Sequence, residues 1–269
     1  MFVELPKYVS SSDKDSRYCQ SLYIDNEQDL KNVFDELIAH NDEYSYRGIC
    51  DARYKMYSSS QRLWFYDDQR MLRLGCNNYY DTIECLIKLA ASQPEVQQYI
   101  QKNNLPANDF LILAMLQHFG SPSPMLDFSN NVLKGLFFAV DNMPAWTDNG
   151  TNRLEDFVSL YFIRRNIDWG KNMKDNVNLQ YRQVRPESSN IFFLPIGEKS
   201  FYNNTKDIPL VEVMNTVCNT KYFHCVNIRK HLVPLVHSAY LQTNGITHNS
   251  VYCIGNTYPD QLQIVFDNI

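Results

Sequence analysis

The sequence predicts an α+β fold in a single domain, with a helical first half packed on a mostly antiparallel, strand-rich second half. Three observations carry that expectation. Apolar residues recur at helical spacing in the first half, as at Leu30, Val33, Phe34, Leu37 and Ile38 and again at Tyr80, Ile83, Ile87 and Ala91. From residue 158 onward the pattern changes to continuous apolar runs, 158–163 and 191–196, of the kind that fill buried strands. No internal repeat, low-complexity tract or linker-like boundary divides the 269 residues, a length that supports a sizeable core.

Residues 1–20 are polar and aperiodic and form an irregular lead-in to a domain spanning 21–269. Ser21–Ile24 is a short strand, after which Asp25 or Asn26 caps the first amphipathic helix. Tyr44 and Tyr46 then alternate with Ser45 and Arg47 as in a strand. If the tyrosines face a core, Arg47 points to the other face, toward solvent or a cleft. Gly48 either lets another group approach the backbone closely or bends the strand.

Between Asp51 and Trp64 three basic residues, Arg53, Lys55 and Arg62, are interleaved with Tyr54, Tyr57 and Trp64 around the run Ser58 to Ser60. That mixture suits an anionic, partly planar ligand such as a dinucleotide or a nucleic-acid strand, and it equally suits a hydrated loop. Residues 67–103 are helical, with Pro94 opening a second helix.

The stretch Asp109–Val140 organises the chain. A helix capped by Asn108 or Asp109 is apolar almost all round, Gly120 takes the left-handed position at its end, and Ser121-Pro122-Ser123-Pro124 prevents continuation. Asn130 or Asn131 caps a second apolar helix through Val140. Gln117, His118 and Asp127 stand out as polar groups among residues expected to be buried. An ionised Asp127 between Leu126 and Phe128 is costly unless an arginine, a histidine or several N–H groups meet it.

A polar loop, 142–156, leads into the strand-rich half. A further strand near Cys225–Ile228 precedes a helix after Pro234, with Leu235, Val236, Ala239 and Tyr240 inside and Gly245 at its end; a strand-like piece and a short helix from Pro259 close the chain.

Composition narrows the function. With 44% hydrophobic and 20% charged residues the chain folds rather than staying disordered. A net charge of −5 argues against a broad basic surface, so duplex nucleic acid is not the expected partner. No leader pattern follows Met1 and no apolar run approaches the ~20 residues of a membrane span, which predicts a cytoplasmic protein without membrane contact.

The seven cysteines are odd in number and scattered, as expected of reduced core thiols. Cys218, His224, Cys225, His231 and His237 lack the tight spacing of a structural zinc site, so no metal is expected. No nucleophile elbow, Walker loop or dinucleotide-binding glycine turn occurs. The 18 tyrosines and 15 phenylalanines can stack planar ligands or fill a core, and composition does not separate the two.

Tyr46-Arg47-Gly48, the downstream Ser58-Ser59-Ser60-Gln61-Arg62-Leu63-Trp64, the run from Gln117 to Ser129 and Leu136 to Ala139 together resemble the FRG domain family, named for its Phe/Tyr-Arg-Gly motif. The closing Gly245 to Asp260 stretch resembles that family's final pattern. Two departures stand out: the family's Thr-Arg after the loop proline is Pro124-Met125 here, and its Gln-x-Gly-x-Phe falls on Ser189 to Phe193 with the Gln and Gly replaced by Ser189 and Ile191.

The Tyr-Arg-Gly strand is in turn similar to the first strand of ADP-ribosyltransferases. The resemblance implies NAD as a substrate, an acceptor macromolecule, and a toxin or phage-defence role. It implies Arg47, His118 and Asp127 as catalytic residues, and Tyr46, Arg47, Gly48, Ser59, Arg62 and Gln117 as contacts to the dinucleotide. Two other roles stay open: a non-catalytic module for nucleotide, nucleic acid or protein, and a structural clasp in which Asp127 is the buried partner of Arg47.

Overall fold

The computed structural model describes residues 4–66, 76–148, 150, 152–165, 180–183, 189–193, 203–204, 206–209, 211–212, 222–252 and 262, with backbone alone at 180–183, 189–193 and 252. The expected tail strand, the helix from Pro259, the first part of the 67–103 segment, the end of the 191–196 run, and Cys218 and Cys253 lie outside them.

The described chain is mixed α and β around one sheet. The strands are β1 (Gln20–Ile24), β2 (Tyr44–Ile49), β3 (Leu126–Ser129), β4 (Phe157–Arg164), β5 (Gln180–Gln183), β6 (Ser189–Phe193) and β7 (His224–Arg229). The seven described strands run in the order β1-β7-β4-β2-β3-β6-β5, antiparallel throughout except for the parallel β1–β7 pair. The helices are α1 (Ser11–Asp15), α2 (Glu27–Ala39), α3 (Ser59–Tyr66), α4 (Tyr79–Ala91), α5 (Pro94–Lys102), α6 (Asp109–His118) and α7 (Val132–Val140).

Local chemistry explains where these helices start. Asn26, Asn78, Asn108 and Asn131 each accept a hydrogen bond from a first-turn backbone N–H, and Pro94 occupies the first position of α5, where its missing N–H costs nothing. Gly120 closes α6 at φ 79°, the left-handed conformation expected of it.

Two apolar clusters hold the layers together. Tyr46, Val158, Leu160, Val226 and Ile228 pack against α2, α7 and the helical segment after Lys230. Leu126, Phe128, Tyr161, Ile163 and Cys225 pack with α4, α5 and α6. The sheet is thus covered by helices on both faces. Among the described residues no helix is long and apolar enough to cross a membrane.

Three features differ from the expectation. The stretch carrying Asp127, expected as part of a loop, is itself a strand, made by pairing with β6 and with β2, the strand expected at Tyr44–Arg47. The lead-in contains a short helix and anchors the core through Tyr8, Lys14 and Tyr18, all buried. Of the cysteines, Cys76 and Cys225 are buried, Cys50 and Cys85 half-buried and Cys19 exposed, so core packing accounts for only part of the set.

Buried phenols give the fold a pH signature. Burial pushes Tyr8, Tyr18 and Tyr161 well above the ordinary tyrosine value, and Tyr57 and Tyr79 to about 12. A phenol that holds its proton more tightly when folded contributes fully below the unfolded value of about 10 and loses that contribution as pH rises beyond it. Lys14, Lys230, Arg47 and Arg62, lowered by burial, act in the opposite sense but are fewer than the raised phenols. Thermal melts should therefore hold their midpoint to about pH 10 and fall steeply above it. At pH 11, adding urea should increase phenolate absorbance as buried rings are released; full phenolate absorbance in the folded protein contradicts this account.

Candidate functional site

A cleft of about 500 Å³ opens at the end of β2. Its lining includes Arg47 and Gly48 from β2, Lys55 from the following loop, Arg62 and Tyr66 from α3, and Phe138 from α7; the segment Glu4 to Lys7 borders it as well.

The alternation in β2 separates two jobs. Tyr46 is fully buried on the helix-covered side, its hydroxyl donating to the Leu37 carbonyl at 3.2 Å, with its ring beside Tyr44 and Phe162. Arg47, one residue on, points the other way. Its Nη1 donates to the backbone carbonyl of Asp127 at 2.6 Å, while its Nε is buried without a hydrogen-bond partner among the described residues. Burial pulls Arg47 down to about 10, against the supporting charge of Asp127 and with the repulsion of Arg62 added. At neutral pH it is still a cation.

Gly48 is a packing residue. A Cβ there would lie 2.1 Å from the Gly135 carbonyl oxygen and 2.2 Å from the Ala139 nitrogen, so α7 lies directly on the strand. Of the two readings of Gly48, close approach is the one realised.

Asp127 meets Arg47 through its carbonyl, whereas its carboxylate accepts from Gln117 Nε2 at 2.9 Å. Burial raises the Asp127 carboxyl, with the Gln117 hydrogen bond and the Arg47 charge opposing. Gln117 Oε1 is buried with no partner among the described residues. The two sequence motifs therefore fold against each other, joined also by the Tyr46–Ser129 pairing of β2 and β3.

His118 ends α6 half-buried, its ring edge-on to Phe119 at 4.9 Å, and is not among the residues lining the cleft. Gln117, Asp127, Tyr46 and Ser59 do not line it either. Ser59 binds the loop after α6 instead: its hydroxyl donates to the Ser123 carbonyl at 3.1 Å and accepts from the Ser123 N–H at 2.9 Å. Its neighbours are equally committed, with Ser60 Oγ 2.7 Å from the Tyr79 hydroxyl and the Ser58 N–H donating to Gln61 Oε1 at 3.0 Å.

The basic and aromatic residues of 51–64 divide. Arg53 is neutralised by Asp51 at 2.7 Å and Glu155 at 2.8 Å and is not among the residues lining the cleft, and Trp64 packs edge-on to Tyr79. Lys55 lies 4.0 Å from Glu212. Arg62 has no ion pair among the described residues, and burial around its head lowers its pKa although much of the side chain is exposed. Arg47 and Arg62 are thus two like charges in one cleft without an ionic partner from the described chain, and their summed field favours an anion.

Sequence reasoning missed Tyr66 and Phe138 as cleft residues. Tyr66 was legible as the residue one helical turn beyond Arg62, whereas Phe138 reads as core in an apolar helix. The departures are also placed: Met125 is buried in the core and directs nothing into the cleft, and Ile191 is the register partner of Asp127 across β3 and β6.

No curated protein and no solved structure matches the chain. The model of the FRG domain matches residues 42–147, a span that contains Tyr46-Arg47-Gly48, the serine run and Gln117 to Ser129. Over that span the chain is similar to the FRG domain, and the motifs that carry the likeness are joined in space as well as present in order.

Proposed function

We propose that the cleft binds a dinucleotide of the NAD class and that the protein is an ADP-ribosyltransferase-like or NAD-cleaving effector, acting in the cytoplasm as a toxin or phage-defence protein. One observation carries the reading: Arg47 and Arg62 both line a cleft large enough for a nucleotide, and neither is within ion-pair distance of a carboxylate among the described residues. Guanidinium forks match pyrophosphate oxygens, and a bound diphosphate relieves the repulsion between the two arginines.

In such a reaction the bond between the ribose C1′ and the nicotinamide nitrogen breaks, nicotinamide leaves with the electron pair, and an acceptor nucleophile or water forms the new bond to C1′. The chain's part is to hold the diphosphate on Arg47 and Arg62 and to keep Arg47 in place through the Asp127 carbonyl and the Gly48–α7 contact.

One observation favours the alternative of a non-catalytic nucleotide-binding module. Among the described residues Glu4 is the one carboxylate lining the cleft, and the Asp127 carboxylate is engaged by Gln117.

Incubation with NAD labelled in both halves separates the readings. Wild-type protein should release nicotinamide or label a macromolecule, and Arg62→Ala should reduce the rate about tenfold or more, the loss of a charge-assisted contact. Tight NAD binding without nicotinamide release or labelling establishes the module; absence of binding removes both.

A further inference from the structure

Of the three basic residues interleaved with rings in 51–64, Arg53 is neutralised by Asp51 and Glu155, whereas Arg62 and Lys55 both line the cleft. The Lys55 side chain is 15% exposed, and its Nζ makes no hydrogen bond among the described residues. The Glu212 carboxylate holds its Oε1 4.0 Å away, too far for a hydrogen bond. Lys7, another lysine of the lining, is instead paired with Glu4. An ammonium in a cavity with its three donors idle is set for an acceptor that arrives from outside the chain.

Glu212 is 6% exposed, and its two oxygens serve several groups. Oε1 accepts from the Tyr8 hydroxyl at 3.1 Å, and Oε2 lies 3.5 Å from Arg17 Nη1. One carboxylate thus faces two cations, so Glu212, Arg17 and Lys55 together keep a net positive charge. Lys55 Nζ also stands 5.1 Å from the centre of the Tyr8 ring, so two residues that bond each other hold the ammonium as well. The loop that bears Lys55 is gripped from outside: the Tyr8 N–H donates to the Arg53 carbonyl at 2.9 Å, and the Tyr57 hydroxyl donates to the Asp207 carbonyl at 3.1 Å. A cation fixed before its ligand arrives needs little further ordering on binding.

We propose that Lys55 is a third anion contact of the cleft and that Glu212 is its positioning residue, so that the ligand presents a diphosphate, with oxygens for Arg47, Arg62 and Lys55 together, and not a single phosphate. The proposal rests on the nucleotide reading of the cleft and adds a residue that tells a diphosphate from a monophosphate. Glu212 is not among the residues lining the cleft; it acts through Lys55, from outside the 42–147 span.

Calorimetric titration of the full chain with inorganic pyrophosphate and with orthophosphate tests it, together with lysine acetylation read by peptide mass spectrometry. Wild-type protein should bind pyrophosphate more tightly than orthophosphate. Saturating pyrophosphate should slow acetylation of Lys55 severalfold and leave Lys88, exposed on α4, unchanged. Lys55→Ala should weaken pyrophosphate about tenfold, the loss of a charge-assisted contact. Glu212→Gln, which keeps an oxygen for the Tyr8 hydroxyl, should weaken it about threefold and should cost nothing further in the Lys55→Ala background. Should Glu212→Gln melt far below wild type, Glu212→Asp, which draws the same charge back by one methylene, carries the same comparison. Pyrophosphate binding unchanged by Lys55→Ala, an unprotected Lys55, or orthophosphate bound as tightly as pyrophosphate overturns the contact. A loss on changing Glu212 that persists undiminished without Lys55 overturns the positioning role. Wild-type protein that binds pyrophosphate but not NAD removes the NAD reading and keeps the Lys55 contact, whereas protein that binds neither overturns both.

Discussion

Gly48→Ala is expected to cost about 4 kcal/mol or more, enough to unfold most domains of ordinary stability. The added carbon would lie 2.1 Å from Gly135 O and 2.2 Å from Ala139 N, and both are backbone atoms of α7. No rotamer change relieves such a clash; the helix must leave the strand. Lifting α7 would open the apolar cluster that buries Tyr46, Leu136 and Val140. Gly120→Ala is the control: its backbone is left-handed at φ 79° but nothing lies within 4 Å of an added carbon, so only conformational strain of about 1 kcal/mol is expected. Urea denaturation of the two variants should show a collapse for Gly48→Ala and a small midpoint shift for Gly120→Ala. Comparable small shifts for both contradict the close contact.

Lys14→Ala should be nearly as damaging, by about 3–5 kcal/mol. The side chain is fully buried, and its Nζ donates to Ala52 O at 3.0 Å, Ser159 Oγ at 2.6 Å and Asn227 Oδ1 at 2.6 Å, with the Tyr161 ring 5.1 Å away. One ammonium thereby ties α1 to the chain after β2 and to the facing pair Ser159–Asn227 of β4 and β7. Truncation leaves a cavity and strips Ala52 O of its donor. Lys14→Met fills most of the volume without supplying a donor, so its smaller loss, about 2 kcal/mol, measures the polar part. Equilibrium unfolding of both variants gives the comparison; a Lys14→Met protein as stable as wild type shows that the hydrogen bonds only offset the cost of burying the charge.

What could be read in advance was chemistry that acts within a few residues. Asn26, Asn108 and Asn131 announce helix starts because a cap needs only its own side chain and the next turn. Gly120 announces a stop for the same reason, and the alternation of Tyr44 and Tyr46 with Arg47 placed that arginine on the face away from the tyrosine core. The meeting of the two motifs also followed from the need of a buried Asp127 for a partner, although the group that Arg47 contacts is the carbonyl and the carboxylate goes to Gln117.

What could not be read depends on distant segments. Lys14 sits in a polar lead-in whose partners lie at 52, 159 and 227, so its local surroundings suggest solvent. Leu126–Ser129 is too short to declare itself a strand and becomes one by pairing with β2 and β6. Arg53 looked like part of a basic ligand site until Glu155, from across the fold, helped to neutralise it. Phe138 hides among apolar neighbours because helical periodicity tells which residues can be buried, not which end of a helix reaches a cleft.

The arrangement of the sheet bears on whether the matched span can stand alone. The span 42–147 that matches the family contains β2 and β3, yet those two strands share a single described pairing, Tyr46 with Ser129. The long six-residue register of β2 is with β4, at 157–164, which in turn leans on β7, at 224–229, and that strand pairs with β1, at 20–24. The recognisable segment is therefore flanked on both sides in sequence by the strands that hold it in register. On its own, the 42–147 span of this chain would leave β2 without the strand that sets its register and expose the edge that β4 covers.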